Sequence, residues 1–192
     1  MRHLFFSLYK ILLLPHFILY TFCEEKSIIN HDLKRWAKAK NIKGNNTYLL
    51  FHFLTFSPDF RTIFYFRTKN IFTHVLNLYC RKQKGFIIDV RTHLGGGIIT
   101  GHPYATILNA KSIGENFYVN HLVTIGEIDG KRPIIGDNVS IYTGAIVIGD
   151  IKIGNNSKIG AGAVVVKNVP ENSVVVGNPG RVIKQNGVKI SK

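Results

Sequence analysis

Apolar residues follow two different patterns along the 192-residue chain. Up to about Gly85 their spacing is mostly helical, and no stretch shows the sustained alternation that predicts strands. After Gly85 the sequence becomes rich in Ile, Val, Gly, Asn and Asp, and branched apolar residues recur at a fixed interval. We therefore divide the chain into a helical N-terminal region, residues 1–85, and a second domain, residues 86–192, that includes a C-terminal tail.

Two helix starts can be predicted in the N-terminal region. Asn30 is a candidate cap for a helix through Leu33 and Trp36 that the Gly44-Asn45-Asn46 cluster would end. Ser57 is a candidate cap for a second helix, because Pro58 suits the first helical position. We expect the second helix to run on toward Phe72 and to pack its aromatic side chains in a core.

The second domain contains a six-residue repeat. Ten branched apolar residues form two runs with a step of six: Ile107, Ile113, Val119 and Ile125, and then Ile135, Ile141, Val147, Ile153, Ile159 and Val165. A ten-residue interval separates the runs, which predicts four extra residues looping out of the repeat within residues 126–133.

A six-residue step matches neither the period of a helix nor that of an ordinary strand. It is typical of a coil of short flat strands joined by tight corners, in which one aliphatic side chain per hexapeptide points inward. Gly, Asn and Asp suit the corners because they accept a positive φ or bond to their own backbone. The repeat therefore predicts a mainly β fold, a parallel β-helix with stacked columns of Ile and Val.

The net charge of +14 is concentrated at the N-terminal end. Residues 1–85 carry 14 basic and 4 acidic side chains, and the remainder carries 11 and 7. No nucleic-acid-binding motif accompanies this charge, so we expect no nucleic-acid partner. The two cysteines, Cys23 and Cys80, show no metal or disulfide spacing, which indicates a reducing compartment and no metal site.

Residues 4–23 are rich in Leu, Phe and Ile, but Lys10, Pro15 and His16 interrupt them and no small-residue cleavage site follows. We interpret this segment as a buried or interfacial helix. A peripheral membrane contact through residues 4–23 remains an alternative to burial in the protein.

Four stretches of the second domain form a recognisable set: Ile135 to Ser140, Ile159 to Lys167, Val169-Pro170 and Gly177 to Val182. Together they resemble the hexapeptide acyltransferase superfamily. Ser57 to Arg67 and Ile99-Thr100-Gly101-His102 bring the chain close to the serine acetyltransferases, including the short forms of bacterial polysaccharide loci.

The resemblance has structural and functional implications. It implies a left-handed β-helix with three hexapeptides per coil, assembled as a homotrimer with active sites between neighbouring subunits. It also implies acetyl-CoA as the acyl donor, no metal, and a cytoplasmic enzyme of cysteine biosynthesis, which a membrane contact of residues 4–23 would hold at the membrane.

Acetyl transfer from a thioester to a hydroxyl requires a base for the hydroxyl proton. His102, after a glycine-rich approach, stands where the family has its catalytic histidine, and Asp89 lies close to the position of the carboxylate that orients it. The spacing from Asp89 to His102 is two residues shorter than in the housekeeping serine enzymes, which leaves a turn residue as the alternative for Asp89.

The resemblance also indicates substrate-binding residues. His121 stands where the serine enzymes commonly have Gln, and Arg132 lies near a loop histidine of the housekeeping forms, so both are candidates for binding the acceptor. An outward-facing coil histidine and a solvated charged loop are the alternatives. Residues that match the family's acyl-donor contacts are Thr143, Ala161, Val166, Lys167 and Arg181.

These observations support three functions. The first is O-acetylation of L-serine by direct transfer, because no well-placed nucleophilic cysteine lies near His102. The second keeps the mechanism but takes a sugar hydroxyl in polysaccharide biosynthesis, which fits the departures at His121 and Arg132. The third, of another class, is a non-catalytic trimeric β-helix scaffold.

Overall fold

The structure is a computed structural model that describes residues 11–190. The chain forms two compact units, Met1–Gln83 and Lys84–Lys192. The described part of the first unit is helical, and its helices are α1 (Leu14–Phe22), α2 (Lys26–Lys40), α3 (Asn46–Phe56), α4 (Pro58–Thr68) and α5 (Thr73–Tyr79).

Helix α4 begins where the sequence predicts it, with Ser57 at the cap position and Pro58 in the first turn. The Ser57 side chain makes no capping hydrogen bond, and the helix ends at Thr68, not near Phe72. The prediction for Asn30 is wrong, because α2 begins at Lys26 and places Asn30 inside the helix. Helical spacing fixed the buried face of α2 but left its first turn undetermined.

The core of the helical unit combines aromatic packing with a buried ion pair. Trp36 contacts the rings of Phe53 and Phe60 at centroid distances of 5.5 and 5.3 Å. The guanidinium of Arg67 lies 3.1 Å from the carboxylate of Asp32, and both side chains are almost fully buried. Removing the Arg67 charge would leave the Asp32 carboxylate buried without this ion pair, so the pair links α2 to α4 at a buried position.

Helix α1 covers the C-terminal part of the apolar segment, whereas residues 4–10 lie outside the described residues. His16 and Tyr20 are buried, and Leu14, Ile18 and Phe22 are exposed. Within residues 11–190, no helix is both long enough and apolar enough to cross a membrane.

The second unit is a parallel β-helix, which confirms the fold class. Three sheets run along it and are named A, B and C here; sheets B and C begin at the first coil with β2 (His93–Leu94) and β3 (Ile99–Gly101). Sheet A contains β1 (Phe86–Ile88), β4 (Thr106–Leu108), β7 (Thr124–Gly126), β10 (Ile146–Ile148) and β13 (Val164–Val165). Sheet B continues with β5 (Ser112–Ile113), β8 (Ile134–Ile135) and β11 (Lys152–Ile153). Sheet C continues with β6 (Tyr118–Asn120), β9 (Ser140–Ile141), β12 (Lys158–Ile159), β14 (Ser173–Val176), β15 (Arg181–Gln185) and β16 (Val188–Lys189).

The strands follow each other in the order A, B, C through five successive coils, and Val169 supplies the sheet B position of the last coil through a single bridge to Ile153. Three edges result. The AB edge contains residues 89–92, 109–111, 127–133, 149–151 and 166–168, and the CA edge contains residues 102–105, 121–123, 142–145, 160–163 and 177–180. The remaining corners form the BC edge.

The interior consists of aliphatic columns, as the repeat predicts. Ile113, Val119, Ile125 and all the later repeat residues are buried. Ile107 is an exception, because it is 41% exposed and its neighbour Leu108 points inward at 0%. The corner between Leu108 and Ile113 is one residue shorter than a regular hexapeptide, which shifts the first position of the repeat.

The predicted loop within residues 126–133 is confirmed at the AB edge of the third coil. It is a tight hairpin in which Ile128 and Lys131 exchange backbone hydrogen bonds of 3.0 and 2.9 Å. Asp129 and Gly130 form its turn with φ values of 52° and 76°, which suits an Asp-Gly pair. At the C-terminal end, β15 and β16 add antiparallel strands to sheet C.

Candidate functional site at the CA edge

His102 lies in an insertion at the CA edge of the first coil. The interval between inward residues across this corner is eight, from Thr100 to Leu108, whereas it is six from Val119 to Ile125 in the next coil. His102 is exposed and has a φ of 53°, a left-handed conformation that histidine enters more readily than most residues. The two additional residues therefore displace His102 outward from the regular corner.

His121, Thr143 and Ala161 occupy equivalent positions in the three following coils. The strands that precede them pair in register, Val119 with Ile141 and Ile141 with Ile159, so the second residue after each lies at the same corner. The backbone N–H groups that follow continue this alignment, since Gly144 donates to His121 and Gly162 donates to Thr143. The fold thus lines up three sequence-predicted residues along the edge that also carries His102.

A strip of small residues follows the two histidines along this edge. Gly144 and Gly162 have φ values of 70° and 68°, which favour glycine. A side chain at Gly162 would meet nothing within 4 Å, and one at Gly144 would meet nothing closer than 3.9 Å. Together with Thr143 and Ala161 they form an open surface where a narrow chain with amide groups can approach the backbone.

A polar cluster lies on the outer side of sheet C beside His102 and His121. The Asn120 Oδ1 atom lies 2.8 Å from His121 Nδ1 and 2.9 Å from the His121 backbone nitrogen. Gly101 pairs with Asn120 across the sheet, and a side chain at Gly101 would clash with the Tyr118 hydroxyl and crowd the Asn120 carboxamide. The Tyr118 ring in turn contacts Tyr142 at a centroid distance of 5.9 Å.

Asp89 lies at another edge of the same protomer. It follows β1 at the AB edge, where Oδ1 accepts from the backbone nitrogen of Arg91 at 2.9 Å and from its Nε at 3.0 Å. The hydrogen bond from the Arg91 side chain, and after it the one from the Arg91 backbone, hold the pKa of the Asp89 carboxyl below its ordinary value. The carboxylate is therefore ionised and engaged by Arg91, whereas His102 stands at the CA edge.

Arg132 is also at the AB edge. Its Nη1 donates to the backbone oxygen of Ala110 at 3.2 Å, which ties the hairpin to the neighbouring coil. Lys131 forms an exposed ion pair with Asp150 at 3.4 Å. These contacts anchor the hairpin along the AB edge and give Arg132 a half-buried position there.

The predicted acyl-donor residues divide between the two edges. Val166 and Lys167 are exposed at the AB edge of the last coil. Arg181 begins β15 and pairs with Val176, and Val176 lies against Gly160 next to Ala161. One protomer therefore brings Arg181 toward Thr143 and Ala161 and separates these three from Val166 and Lys167 by the width of sheet A.

The edge assignments divide the predicted site residues into two groups. The CA edge carries His102, His121, Thr143 and Ala161, and the AB edge carries Asp89, Arg132, Val166 and Lys167. Sequence reasoning missed Arg91, Tyr118, Asn120 and Tyr142. The six-residue phase could have indicated Tyr118 and Asn120, because they flank the inward Val119 and must point outward.

No cluster suited to a metal ion is found within residues 11–190: three or more His, Cys, Asp or Glu side chains do not converge there. The chemistry available at the CA edge is that of two exposed or half-exposed imidazoles, an amide and tyrosine hydroxyls. Imidazole is suited to proton transfer near neutral pH.

Comparisons with known proteins agree with this architecture. The family model of the bacterial transferase hexapeptide (six repeats) matches residues 132–167. Serine acetyltransferase of Bacillus pumilus is 39% identical over 134 residues, which are 67% of this chain and 62% of that protein. The chain thus spans less than two thirds of the length of this curated relative.

Solved structures give the same relationship. Serine acetyltransferase of Brucella abortus superimposes with a TM-score of 0.69 at 26% identity, over 85% of this chain and 70% of that one. The Neisseria gonorrhoeae serine acetyltransferase in complex with serine gives a TM-score of 0.63 at 27% identity, over 83% and 69% of the two chains. This chain is therefore similar in sequence and in fold to the serine acetyltransferases, and its residues 132–167 match the hexapeptide repeats of bacterial transferases.

Proposed function

We propose that this protein transfers the acetyl group of acetyl-CoA to the hydroxyl of L-serine, in the cytoplasm and as a step of cysteine biosynthesis. The observation that supports the proposal most directly is the edge that carries the exposed His102 and, further along, the small residues Thr143, Gly144, Ala161 and Gly162. The names of its relatives, and the serine bound to one of them, support the acceptor.

In the proposed reaction His102 acts as the general base. One ring nitrogen accepts the proton of the serine hydroxyl while the oxygen forms a bond to the thioester carbonyl carbon. The tetrahedral intermediate then collapses, the carbon–sulfur bond breaks, and the proton held by His102 passes to the leaving thiolate. The products are O-acetylserine and coenzyme A, and no covalent enzyme intermediate is needed.

The acyl donor would lie along the strip of small residues. Thr143 and Ala161 leave backbone groups accessible to the amides of the pantetheine arm, and cations meet its phosphates. Arg181 is the candidate cation at the CA edge, and Lys167 is the candidate at the AB edge. Val166 would contact the arm through its exposed apolar side chain.

We further propose that the active site forms in a homotrimer, between the CA edge of one subunit and the AB edge of its neighbour. This arrangement would bring Asp89 and its neighbour Arg91 to His102 of the adjacent subunit. It would also join Thr143, Ala161 and Arg181 with Val166 and Lys167 around one donor molecule. The division of these residues between two edges of one protomer supports the proposal.

The general base is tested by His102→Ala. We expect kcat for acetyl transfer to fall by about a hundred- to ten-thousand-fold, the range that a positioned base contributes. Release of the coenzyme A thiol with L-serine as acceptor measures the rate. His93→Ala is the matched control, because His93 is also an exposed β-helix histidine but lies on sheet B. Unchanged transfer in His102→Ala contradicts the proposed mechanism.

A sugar acceptor is the second candidate function. The Tyr118–Tyr142 ring pair beside His102 favours it, because aromatic side chains that line a site suit a ring substrate more than a free amino acid. A panel of nucleotide-linked and lipid-linked sugars, assayed beside L-serine, separates the two. Turnover of a sugar without turnover of serine would replace the first proposal, and absence of acetyl-CoA binding would favour a non-catalytic scaffold.

A further inference from the structure

Asn120 and His121 form a side-chain pair whose hydrogen-bond geometry can be assigned. Asn120 Oδ1 accepts the backbone N–H of His121 at 2.9 Å, and it also lies 2.8 Å from His121 Nδ1. A flipped carboxamide would turn its NH₂ group toward the backbone N–H, so that two donors faced each other. The backbone hydrogen bond therefore fixes the oxygen on this side.

The orientation of the amide sets the tautomer of the imidazole. Because Oδ1 can only accept, the contact with Nδ1 requires Nδ1 to carry the proton. In the neutral ring the other nitrogen, Nε2, then has a free lone pair and accepts hydrogen bonds. His121 is half-exposed and no hydrogen bond to its Nε2 occurs within residues 11–190, so this lone pair is available to a ligand.

The pair is next to the reacting groups of the proposed site. Gly101 and Asn120 are opposite each other in sheet C, and His102 and His121 follow them directly in neighbouring coils. His121 also precedes Thr143 in the column of corner residues at the CA edge. A substrate hydroxyl at His102 therefore has its other polar groups within the region of His121.

We propose that His121 binds the acceptor substrate through Nε2, and that Asn120 is the positioning residue that keeps this nitrogen unprotonated. The inference rests on the proposed acetyl transfer and specifies its acceptor. The site would select molecules that carry a second hydrogen-bond donor beside the reacting hydroxyl. In L-serine that donor is the ammonium group, and in a sugar it is a neighbouring hydroxyl.

The tautomer can be measured without any substrate. In the full chain labelled with ¹⁵N-histidine, long-range ¹H–¹⁵N correlation spectra above neutral pH should show Nδ1 protonated and Nε2 unprotonated for His121. The variant His121→Gln assigns the signals by removing them. In Asn120→Ala we expect a shift toward the Nε2-protonated form, which free imidazole side chains prefer. A protonated Nε2 in the wild-type protein would overturn the proposal.

Steady-state kinetics test whether His121 and Asn120 contribute to binding of the acceptor. Hydrogen bonds to charged groups are stronger than those between neutral groups. We therefore expect the KM of L-serine to rise about tenfold or more in His121→Ala and in Asn120→Ala. We expect kcat and the KM of acetyl-CoA to change less than about threefold. With 3-hydroxypropionate, which is serine without its amino group, the same variants should show little additional loss. Asn116→Gly, at the BC edge of the same coil, is the matched control.

The conservative variant Asn120→Asp adds a readout that a purely structural role would not change. Its carboxylate keeps an acceptor at Nδ1 but stabilises the imidazolium, so the pH dependence of the serine KM should move upward by about one unit. An unchanged serine KM in His121→Ala, with wild-type transfer intact, overturns this inference but not the function. If the wild-type protein acetylates neither serine nor a sugar, the proposed function itself fails, and the substrate role of His121 fails with it.

Discussion

The buried imidazole of His16 shows how the direction of a hydrogen bond decides which ring nitrogen has a partner. Tyr65 Oη donates to the backbone oxygen of Cys80 at 2.7 Å, so it can only accept from His16 Nε2, 2.9 Å away. This leaves His16 Nδ1 buried with no hydrogen-bond partner within residues 11–190. Burial and the nearby Arg61 charge lower the pKa of His16 from 6.5 to about 4. The imidazole is therefore neutral in the folded helical unit.

A pH-dependent stability of the helical unit follows. Because folding lowers the pKa of His16, the neutral side chain contributes fully to the free energy of unfolding above pH 6.5. This contribution is lost as the pH falls toward 4. The shift corresponds to about 3 kcal/mol of unfolding free energy, which urea titrations across this range would measure. His16→Gln should flatten the dependence, and the exposed control His74→Gln should keep it. Equal pH slopes in wild type and His16→Gln contradict the assignment.

At the scale of elements, the BC edge is supported by a column of asparagines. The column consists of Asn138, Asn156 and Asn172, followed by Asn186 in the turn between β15 and β16. Their φ values lie between 47° and 58°, and each side-chain amide donates to the next carboxamide oxygen at 2.9–3.2 Å. Asparagine suits these corners twice, since it accepts the left-handed conformation and its amide can donate and accept in a row. The column therefore connects successive coils at positions that the inward aliphatic residues do not reach.

The column contributes to stability through its side-chain hydrogen bonds and through its left-handed backbone conformation, and the two effects can be separated at Asn156. Asn156→Gly loses the amide hydrogen bonds but keeps the conformation, and we expect a cost of about 1 kcal/mol. Asn156→Ala also places a Cβ at a φ of 58°, which adds about 1 kcal/mol more. Denaturant titration of both variants measures the difference. If Ala were as stable as Gly at this corner, the left-handed conformation would not be the reason for asparagine.

At the scale of the whole molecule, the separation of Asp89 and His102 has a direct test. If the site forms between subunits, coexpression of Asp89→Asn and His102→Ala chains produces mixed trimers in which some sites have both wild-type residues. We expect a substantial fraction of wild-type activity from the mixture and little from either variant alone. Light scattering should give about three times the 21.6 kDa chain mass. Absence of complementation in confirmed mixed trimers contradicts the interface proposal.

The sequence by itself determined the features that depend on local spacing. One inward aliphatic residue per hexapeptide is a local requirement of a coil, so residues 113–165 revealed the β-helix and the ten-residue gap revealed the hairpin. The helix start at Pro58 is local for the same reason, since proline suits the first turn. The resemblance to a known family then identified His102, Thr143 and Ala161 as candidate site residues.

Only the tertiary structure decided which corners meet. Corners of irregular length change which residues point inward. At the short corner before Ile113, Leu108 points inward in place of Ile107, and at the long corner after Thr100 two added residues displace His102 outward. The register between coils, which no local pattern encodes, put His121 in line with Thr143, and the order of the strands around the coil placed Asp89 at a different edge from His102. Hydrogen-bond direction between adjacent side chains gave Asn120 its role, because it depends on orientation and not on spacing.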